Sequence, residues 1–228
     1  MLGLRRGPKP KELINTKWSA NLAYAIGLLT TDGCLAKSAT LIDLTSKDRE
    51  QLNNFNHCIG LKLKIGTKNS GNGNTALRVQ LKNRIFYDFL ISIGLTPAKS
   101  KTLGEIKIPD KYFYDFLRGC FDGDGCFYSY RDKRWKSSFM FYTEFASASP
   151  TFIEWIRNKN KEFLSINGHI SKSKMKSTQQ LKYAKRESLL LLERMYHCQD
   201  LVCLSRKRLK IAKVFDSIGL SVRHLSYT

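Results

Sequence analysis

A short motif occurs twice in this chain, once in each half. It reads LRGCFDGDG over residues 117–125 and AIGLLTTDG over residues 25–33. Both copies have the pattern of a short apolar helix that ends in an acidic residue, Asp124 or Asp32, and then a glycine, which commonly terminates helices. A chain with such a motif in each half is expected to contain two copies of one fold.

The residues after each motif repeat the same order of predicted elements. Apolar residues at helical spacing predict helices, alternation predicts strands, and turn-rich connections predict hairpins. In the first half, helices are predicted over residues 20–31 (capped by Ser19), 47–59 and 83–93, and strands over 34–38, 40–46, 61–65 and 77–82. In the second half, helices are predicted to begin near residues 109, 150, 187 and 206, and strands cover 126–130, 137–147, 168–175 and 179–186.

This order predicts an α+β fold built from two αββαββα repeats. We place the first repeat at residues 19–104 and the second at residues 105–228. Residues 1–18 form a basic N-terminal segment that contains two prolines. Two interpretations of this segment stay open, a solvated arm and an arm that contacts phosphate or a minor groove.

Small residues on the motif helices point to close helix packing. Gly119 and Gly123 are four positions apart and share one helix face, which allows a second backbone to approach. The same face of the first helix carries Gly27 and Thr31. If the helices pack there, their C-terminal ends converge and bring the two motif aspartates together.

Two carboxylates at two helix C-termini make a strongly anionic site that needs protons or cations. Hard divalent cations prefer oxygen ligands, and Mg²⁺ typically binds one or two carboxylates together with substrate phosphate oxygens. In a protein of net charge +20, such a site suggests metal-assisted phosphodiester hydrolysis. A single acidic turn would be an ordinary helix end, but two matched copies favour a shared site.

The chain resembles the LAGLIDADG homing endonucleases of the single-chain, two-motif type. The match spans nearly all of residues 19–218, with a close second motif and a looser first one. The resemblance implies that the motif helices form the interface of pseudo-twofold halves, with the antiparallel sheets as a DNA-binding saddle. It also implies about two or three divalent ions, Mg²⁺ in particular, shared between Asp32 and Asp124, with the carbonyls of Thr31 and Gly123 as further ligands.

One position departs from the family pattern. Thr30 stands where many members have an acidic residue and where the second motif has Asp122. The position is not a metal ligand in the family, so cleavage is expected to survive. The departure nevertheless raises the prospect of a degenerate or nicking enzyme.

Two lysines are candidate catalytic residues. Lys101 and Lys207 lie in the segments after the third helix of each half, where the family has a basic residue near the scissile phosphates. There they would stabilise phosphate charge or orient water. An ordinary solvated helix start is the alternative interpretation.

The predicted strands and hairpin loops carry sixteen Lys or Arg and two Asp. Because Arg and Lys can read guanine and Gln can read adenine in the major groove, a basic antiparallel sheet along a duplex is a DNA-reading surface. A generic solvated face is the alternative. The candidate DNA-binding residues are Lys37, Lys62, Lys64, Lys68, Arg78, Gln80, Lys82, Arg131, Lys133, Arg134, Lys136, Lys172, Lys174, Lys176, Lys182, Lys185 and Arg186.

Composition narrows the cellular setting. A pI near 9.8 indicates a polyanionic partner, and without an apolar run of the roughly 18–20 residues that span a bilayer, nucleic acid is favoured over a membrane. Six cysteines lack CxxC spacing, which favours reduced thiols over zinc ligands. We expect an intracellular protein that is not secreted, in a bacterial cytoplasm or an organelle matrix.

The sequence hypothesis is therefore a monomeric, Mg²⁺-dependent endonuclease that makes a double-strand break in a long double-stranded DNA target. The target is expected to be asymmetric, because the two halves differ at nearly every basic position. The resemblance makes an intron-encoded enzyme without an obligate protein partner the expected form. Two alternatives use the same scaffold: an RNA maturase that assists its host intron, and a catalytically inactive DNA-binding regulator.

Overall fold

The computed structural model describes residues 11–69, 73, 75–131, 139–172 and 178–220. It has the predicted α+β architecture, with two repeats that each contain one four-stranded antiparallel sheet. The first repeat consists of α1 (Ala20–Asp32), β1 (Gly33–Leu35), β2 (Leu41–Ser46), α2 (Arg49–Cys58), β3 (Gly66–Asn69), β4 (Thr75–Lys82) and α3 (Arg84–Ser92). A 3₁₀ turn, Lys99–Lys101, follows it.

The second repeat has the same order and one additional helix. It consists of α4 (Phe113–Asp124), β5 (Cys126–Arg131), β6 (Phe139–Ser147), α5 (Pro150–Leu164), β7 (His169–Lys172), β8 (Gln179–Ala184), α6 (Lys185–Met195) and α7 (Ser205–Ser217). The strand orders are β1-β2-β4-β3 and β5-β6-β8-β7, so the two sheets have equivalent topology. The additional helix α7 stands where the first repeat has only the short 3₁₀ turn.

Local chemistry explains several helix ends. The Ser19 hydroxyl accepts a hydrogen bond from the Leu22 amide at 3.1 Å, and the Asn83 side chain accepts one from the Phe86 amide at 2.8 Å. Both residues therefore satisfy amides that have no partner within the helix. The helix α1 ends at Gly33, whose backbone is extended with φ −86°, and a Cβ at this position would overlap the Leu29 backbone.

The strand prediction for residues 61–65 is wrong. Lys62 and Lys64 are exposed and the neighbouring apolar residues are half-buried, so the alternation exists, but the segment does not pair as a strand. Both edges of β4 are occupied, one by β2 and the other by β3, which begins only at Gly66. The partial burial of Leu61, Leu63 and Ile65 therefore explains the alternating apolar and polar residues without a paired strand.

The second hairpin is also shorter than predicted. The strand β8 ends at Ala184, and Lys185 and Arg186 form the first turn of α6. These two candidate DNA contacts therefore lie on a helix and not on a strand.

The buried apolar residues of both halves form one continuous cluster. Its centre is the contact between α1 and α4, the most extensive one between any two elements. Part of the N-terminal segment joins this core: Ile14 is buried, and the Lys11 carbonyl accepts a hydrogen bond from the side-chain Nδ2 of Asn83 at 2.9 Å. Arg5, Arg6 and Lys9 of that segment lie outside the described residues.

Candidate active site

The faces predicted to bring α1 and α4 together do so. A Cβ on Gly27 would overlap the Phe116 carbonyl oxygen, and one on Gly119 would overlap the Tyr24 carbonyl oxygen. Near the helix ends, a Cβ on Gly123 would overlap the Thr31 hydroxyl. The absence of side chains at these glycines therefore permits backbone contact along the whole interface.

The two motif aspartates end their helices side by side. Burial and the charge of Asp124 raise the pKa of Asp32 to about 6, against the lowering effect of a hydrogen bond from Gln51. Burial also raises the pKa of Asp124, against the charges of Lys207 and Lys99. The Gln51 side-chain nitrogen donates to Asp32 Oδ2 at 2.6 Å. Asp32 is thus a partly buried carboxylate that Gln51 positions. Asp124 is more exposed to solvent, although the protein around it still desolvates its carboxylate enough to raise the pKa.

Two buried lysines face the backbone at these helix ends. Lys207 Nζ donates to the carbonyls of Gly125 at 2.7 Å and Gly123 at 3.2 Å, and also to that of Phe121. Lys99 Nζ donates to the Gly33 carbonyl, the counterpart of Gly125. Burial lowers the pKa of Lys207 to about 8 and also lowers that of Lys99.

The lysine pair differs from the predicted one in its first member. Lys101 is exposed, and Lys99 occupies the position that corresponds to Lys207. Both lysines belong to one 3₁₀ turn, Lys99–Lys101. The sequence does not show which of the two side chains points into the core, and in the structure it is Lys99.

The position at which the two motifs differ is buried in both halves. Asp122 Oδ2 accepts hydrogen bonds from the Tyr24 hydroxyl at 2.7 Å and from the Leu204 amide at 2.6 Å, just before α7. Burial raises its pKa to about 6. Thr30 donates instead to the Ile26 carbonyl of its own helix at 2.7 Å. Asp122 thus anchors the segment just before α7 in the second half, whereas Thr30 of the first half lines the cavity that contains Asp124.

Each aspartate lines a cavity of its own. The Asp32 cavity, of about 360 Å³, is bordered by Asp32, Thr45, Ser46, Lys47, Asp48, Gln51, Ala76, Gly123 and Arg206. The Asp124 cavity, of about 350 Å³, is bordered by Thr30, Thr31, Lys99, Ser100, Leu103, Asp124, Ala146, Ser147, Ala148, Phe152 and Thr178. Each cavity therefore combines one aspartate with the penultimate residue of the opposite motif helix, Gly123 or Thr31.

The donors at this site suit a hard cation. Two carboxylates and nearby backbone carbonyls offer only oxygen, which fits Mg²⁺ with water and phosphate oxygens as its remaining ligands. Within the described ranges, no group of three or more His, Cys, Asp or Glu side chains could hold a metal ion. The described residues thus fit an ion that depends on substrate oxygens better than one held in an all-protein cage.

The sequence analysis did not identify Gln51 as a residue of this site, although the sequence contains a signal for it. It lies on the buried face of α2 next to Leu52 and close to Phe55, where an amphipathic helix normally has an apolar residue. A buried polar side chain on such a face needs a partner, and Asp32 is that partner.

The outer face of the first sheet carries several predicted DNA-binding residues. Arg78 and Gln80 point away from the core, as the alternation along the strand predicted. The carboxylate of Asp43 contacts both side chains. Gln80 donates to Asp43 at 3.0 Å, and an Arg78 nitrogen lies 3.6 Å from the same carboxylate. Lys82 and Lys68 are exposed on the same sheet, while Lys37 is exposed in the loop between β1 and β2.

The outer face of the second sheet is aromatic, which the basic pattern did not predict. Tyr128 and Tyr142 stack at 5.2 Å, and Tyr130 stacks on Tyr142 at 6.1 Å. Lys182 lies on the same sheet, with its ammonium 3.5 Å from the Glu144 carboxylate. Among the remaining candidates, Arg131 and Lys172 are exposed at strand ends, and Lys133, Arg134, Lys136, Lys174 and Lys176 lie outside the described residues.

No protein-family model and no curated protein matches this chain. Solved structures share its fold. The homing endonuclease I-WcaI bound to its DNA recognition sequence has a TM-score of 0.59 at 16% identity, over 92% of this chain and 95% of that one. I-SmaMI bound to uncleavable DNA has a TM-score of 0.60 at 14% identity, over 91% and 94%.

The N-terminal LAGLIDADG domain of DUF199/WhiA is a further structural neighbour, with a TM-score of 0.51 at 18% identity over 81% of this chain and 86% of that domain. Likeness at such identities establishes the fold and leaves the activity open. The predicted resemblance to single-chain LAGLIDADG endonucleases is confirmed at the level of the fold. None of the helices in the described ranges combines the length and apolarity that a bilayer crossing requires.

Proposed function

We propose that this protein is a site-specific homing endonuclease that hydrolyses both strands of a long, asymmetric DNA duplex with Mg²⁺. The observation that carries the proposal is the juxtaposition of Asp32 and Asp124 at the ends of two tightly packed helices. Their oxygens would hold the ions together with the carbonyls of Thr31 and Gly123. When bound, such ions activate water and stabilise the leaving oxygen.

The surrounding residues support this chemistry. Gln51 fixes one carboxylate, and the buried lysines Lys99 and Lys207 add positive charge close to where phosphate oxygens would lie. Because the pKa of Lys207 is about 8, its ammonium remains mostly protonated at neutral pH. Lys207 would therefore stabilise developing phosphate charge without taking up the proton of the attacking water.

The DNA-binding part of the proposal is supported by the two outer sheet faces. The first presents Arg78 and Gln80 for base edges, and the second presents stacked tyrosines with Lys182. Because these faces differ, an asymmetric target suits one copy of the chain. A monomeric, intron-encoded enzyme that acts inside the cell is the form we propose.

Cleavage of a randomised duplex library with Mg²⁺ tests the proposal. Wild-type protein should cut a specific target, and Asp32→Asn and Asp124→Asn should each lose double-strand cleavage by at least about 10²-fold, because the ions lose a carboxylate ligand. Binding of the selected target, measured with Ca²⁺ in place of Mg²⁺, serves as the control and should remain in both variants.

Failure of the test would also be informative. Specific binding without cutting at any Mg²⁺ or Mn²⁺ concentration would overturn the nuclease and favour the DNA-binding regulator. Selective binding of a structured intron RNA without DNA cleavage would favour the maturase.

A further inference from the structure

Another cavity lies at the opposite end of α4 from the motif aspartates. Its volume of about 470 Å³ exceeds that of either active-site cavity and falls within the range of about 300–1,000 Å³ that is usual for small-molecule sites. The first turn of α4, the 3₁₀ turn before it and the ends of α5 and α6 line this cavity. Its lining residue Asp115 precedes Asp124 by nine positions on α4, which is roughly 14 Å along the helix axis. The cavity is therefore separate from the candidate active site.

The charges around this cavity leave an excess of cations. The two carboxylates in its lining, Asp110 and Asp115, are each paired with a basic side chain from outside the lining, at 3.1 Å and 2.8 Å. Lys111 and Arg194 are exposed, and neither forms an ion pair with any residue in the described part of the chain. The charges of the cavity therefore favour an anionic ligand.

The guanidinium of Arg194 is held against an aromatic ring. Its Cζ lies 5.7 Å from the centroid of the Tyr114 ring, which is a cation–π contact. This contact orients the guanidinium, whose side-chain N–H groups donate to no residue in the described ranges. An oriented guanidinium can donate two parallel hydrogen bonds to the oxygens of a phosphate. Arg194 is thus suited to bind a phosphate group in this cavity.

The same wall of the cavity offers aromatic surface. Tyr114 and Phe163 are both half-buried, with ring centroids 6.3 Å apart, so part of each side chain stays accessible. The Tyr114 hydroxyl is buried without a hydrogen-bond partner among the described residues, and proteins normally satisfy such a group with water or a ligand. Aromatic rings beside an arginine are the combination on which proteins stack unpaired bases.

We propose that this cavity binds a nucleoside monophosphate. The phosphate contacts Arg194 and Lys111, and the base packs against Phe163. The side chains of Asp110 and His197 are 66% and 48% exposed, so their polar atoms can hydrogen-bond the ribose hydroxyls. An inorganic anion would leave the aromatic surface uncovered, and an uncharged nucleoside would leave both cations without a partner. The inference does not depend on the proposed nuclease function.

Isothermal titration calorimetry of the full chain with AMP tests the proposal. A chelator is present throughout, so that divalent ions at the motif aspartates cannot recruit the phosphate. We expect AMP to bind at least about tenfold more tightly than adenosine or inorganic phosphate. Adenosine lacks the hydrogen bonds to charged groups, and inorganic phosphate lacks the stacking of the base.

Two variants should separate the phosphate contacts from the base contacts. Arg194→Met should weaken AMP binding by about tenfold and leave adenosine binding unchanged. Phe163→Leu should weaken the binding of both AMP and adenosine by about fivefold or more and leave phosphate binding unchanged. Arg186→Met removes an exposed arginine from the other end of α6, and this matched control should bind AMP as wild type does.

Photolabelling of the wild-type protein with azido-AMP is a second readout that does not depend on how the variants fold. The label should attach to peptides that contain Tyr114 or Phe163, and unlabelled AMP should compete with it. The inference would be overturned if millimolar AMP did not bind, if it bound no more tightly than inorganic phosphate, or if Arg194→Met and Arg186→Met weakened it equally. Labelling confined to the two sheets would also overturn it. The nuclease function stands or falls separately, by cleavage of the DNA library.

Discussion

Helices α1 and α4 occupy corresponding places in the two halves, but their buried polar content differs. Arg118 and Asp122 of α4 are buried, and the same positions of α1 hold Ile26 and Thr30. The glycine contacts between the helices, by contrast, are nearly the same in both directions. The pairing of the halves is thus symmetric, while the way each helix holds its own half is not.

The connections that follow the two repeats explain the difference. Between α6 and α7, the Arg118 guanidinium donates to the carbonyls of Met195 at 2.7 Å and Val202 at 3.0 Å, and pairs with Asp115 at 2.8 Å. The corresponding connection of the first half is a tight one, with left-handed backbone at Gly94 and Ala98. A longer connection leaves carbonyls without partners, and buried polar side chains supply the partners.

The largest expected effect comes from removing the guanidinium. Arg118→Met should reduce the free energy of unfolding by about 3–5 kcal/mol, because two buried carbonyls lose their donor and the buried Asp115 carboxylate loses the guanidinium. Ile26→Met, the corresponding change in α1, should cost less than about 1.5 kcal/mol. Urea denaturation measures both. Equal losses would show that the two helices hold their halves in the same way.

The glycine contacts between α1 and α4 are symmetric, so equivalent substitutions should cause similar losses of stability. Gly27→Ala and Gly119→Ala should each lower the free energy of unfolding by about 1–3 kcal/mol, because each Cβ would overlap a backbone carbonyl of the partner helix. Gly66→Ala is the control, since a Cβ there meets nothing within 4 Å. Thermal denaturation compares the three. A loss confined to one of the interface glycines would contradict the symmetry.

The smallest effect concerns the two aspartates and depends on pH. The pKa of Asp32 is about 6 in the folded, metal-free protein and 3.8 in the unfolded chain, so folding favours its protonated form. Stability should therefore fall as pH rises from about 4 to about 6 and then stay level. Asp32→Asn should be more stable than wild type at pH 7 by about 1–2 kcal/mol and lose this advantage near pH 4.

Chemical denaturation in the presence of a chelator, from pH 4 to pH 7, measures this effect. Asp124→Asn is the comparison: the direction should be the same and the gain smaller, because Asp124 is exposed to solvent. An advantage of Asp32→Asn that does not change with pH would contradict the assigned cause.

Several features were predictable because they are local or periodic. The Ser19 cap, the alternation of Arg78 and Gln80, and the glycine faces follow from rules that act over a few residues. Residues 61–65 show where this kind of prediction fails. Their alternating pattern reflects which side chains are buried, but it does not show whether the backbone pairs with a neighbouring strand. The prediction also failed at Lys185 and Arg186. The strand β8 changes to the helix α6 there, within a run of polar residues that gives no sign of the boundary.

From the linear pattern alone came the duplication, the α+β class and the pairing of Asp32 with Asp124, because a repeated motif must serve the same purpose in each copy. The choice of Lys99 over Lys101 and the hydrogen bond from Gln51 to Asp32 came from the folded chain. Those side chains lie far along the sequence from the carboxylates, and only packing brings them to the helix ends. The contacts and burial of these side chains make the surroundings of Asp32 and Asp124 different, although the two motifs are similar in sequence.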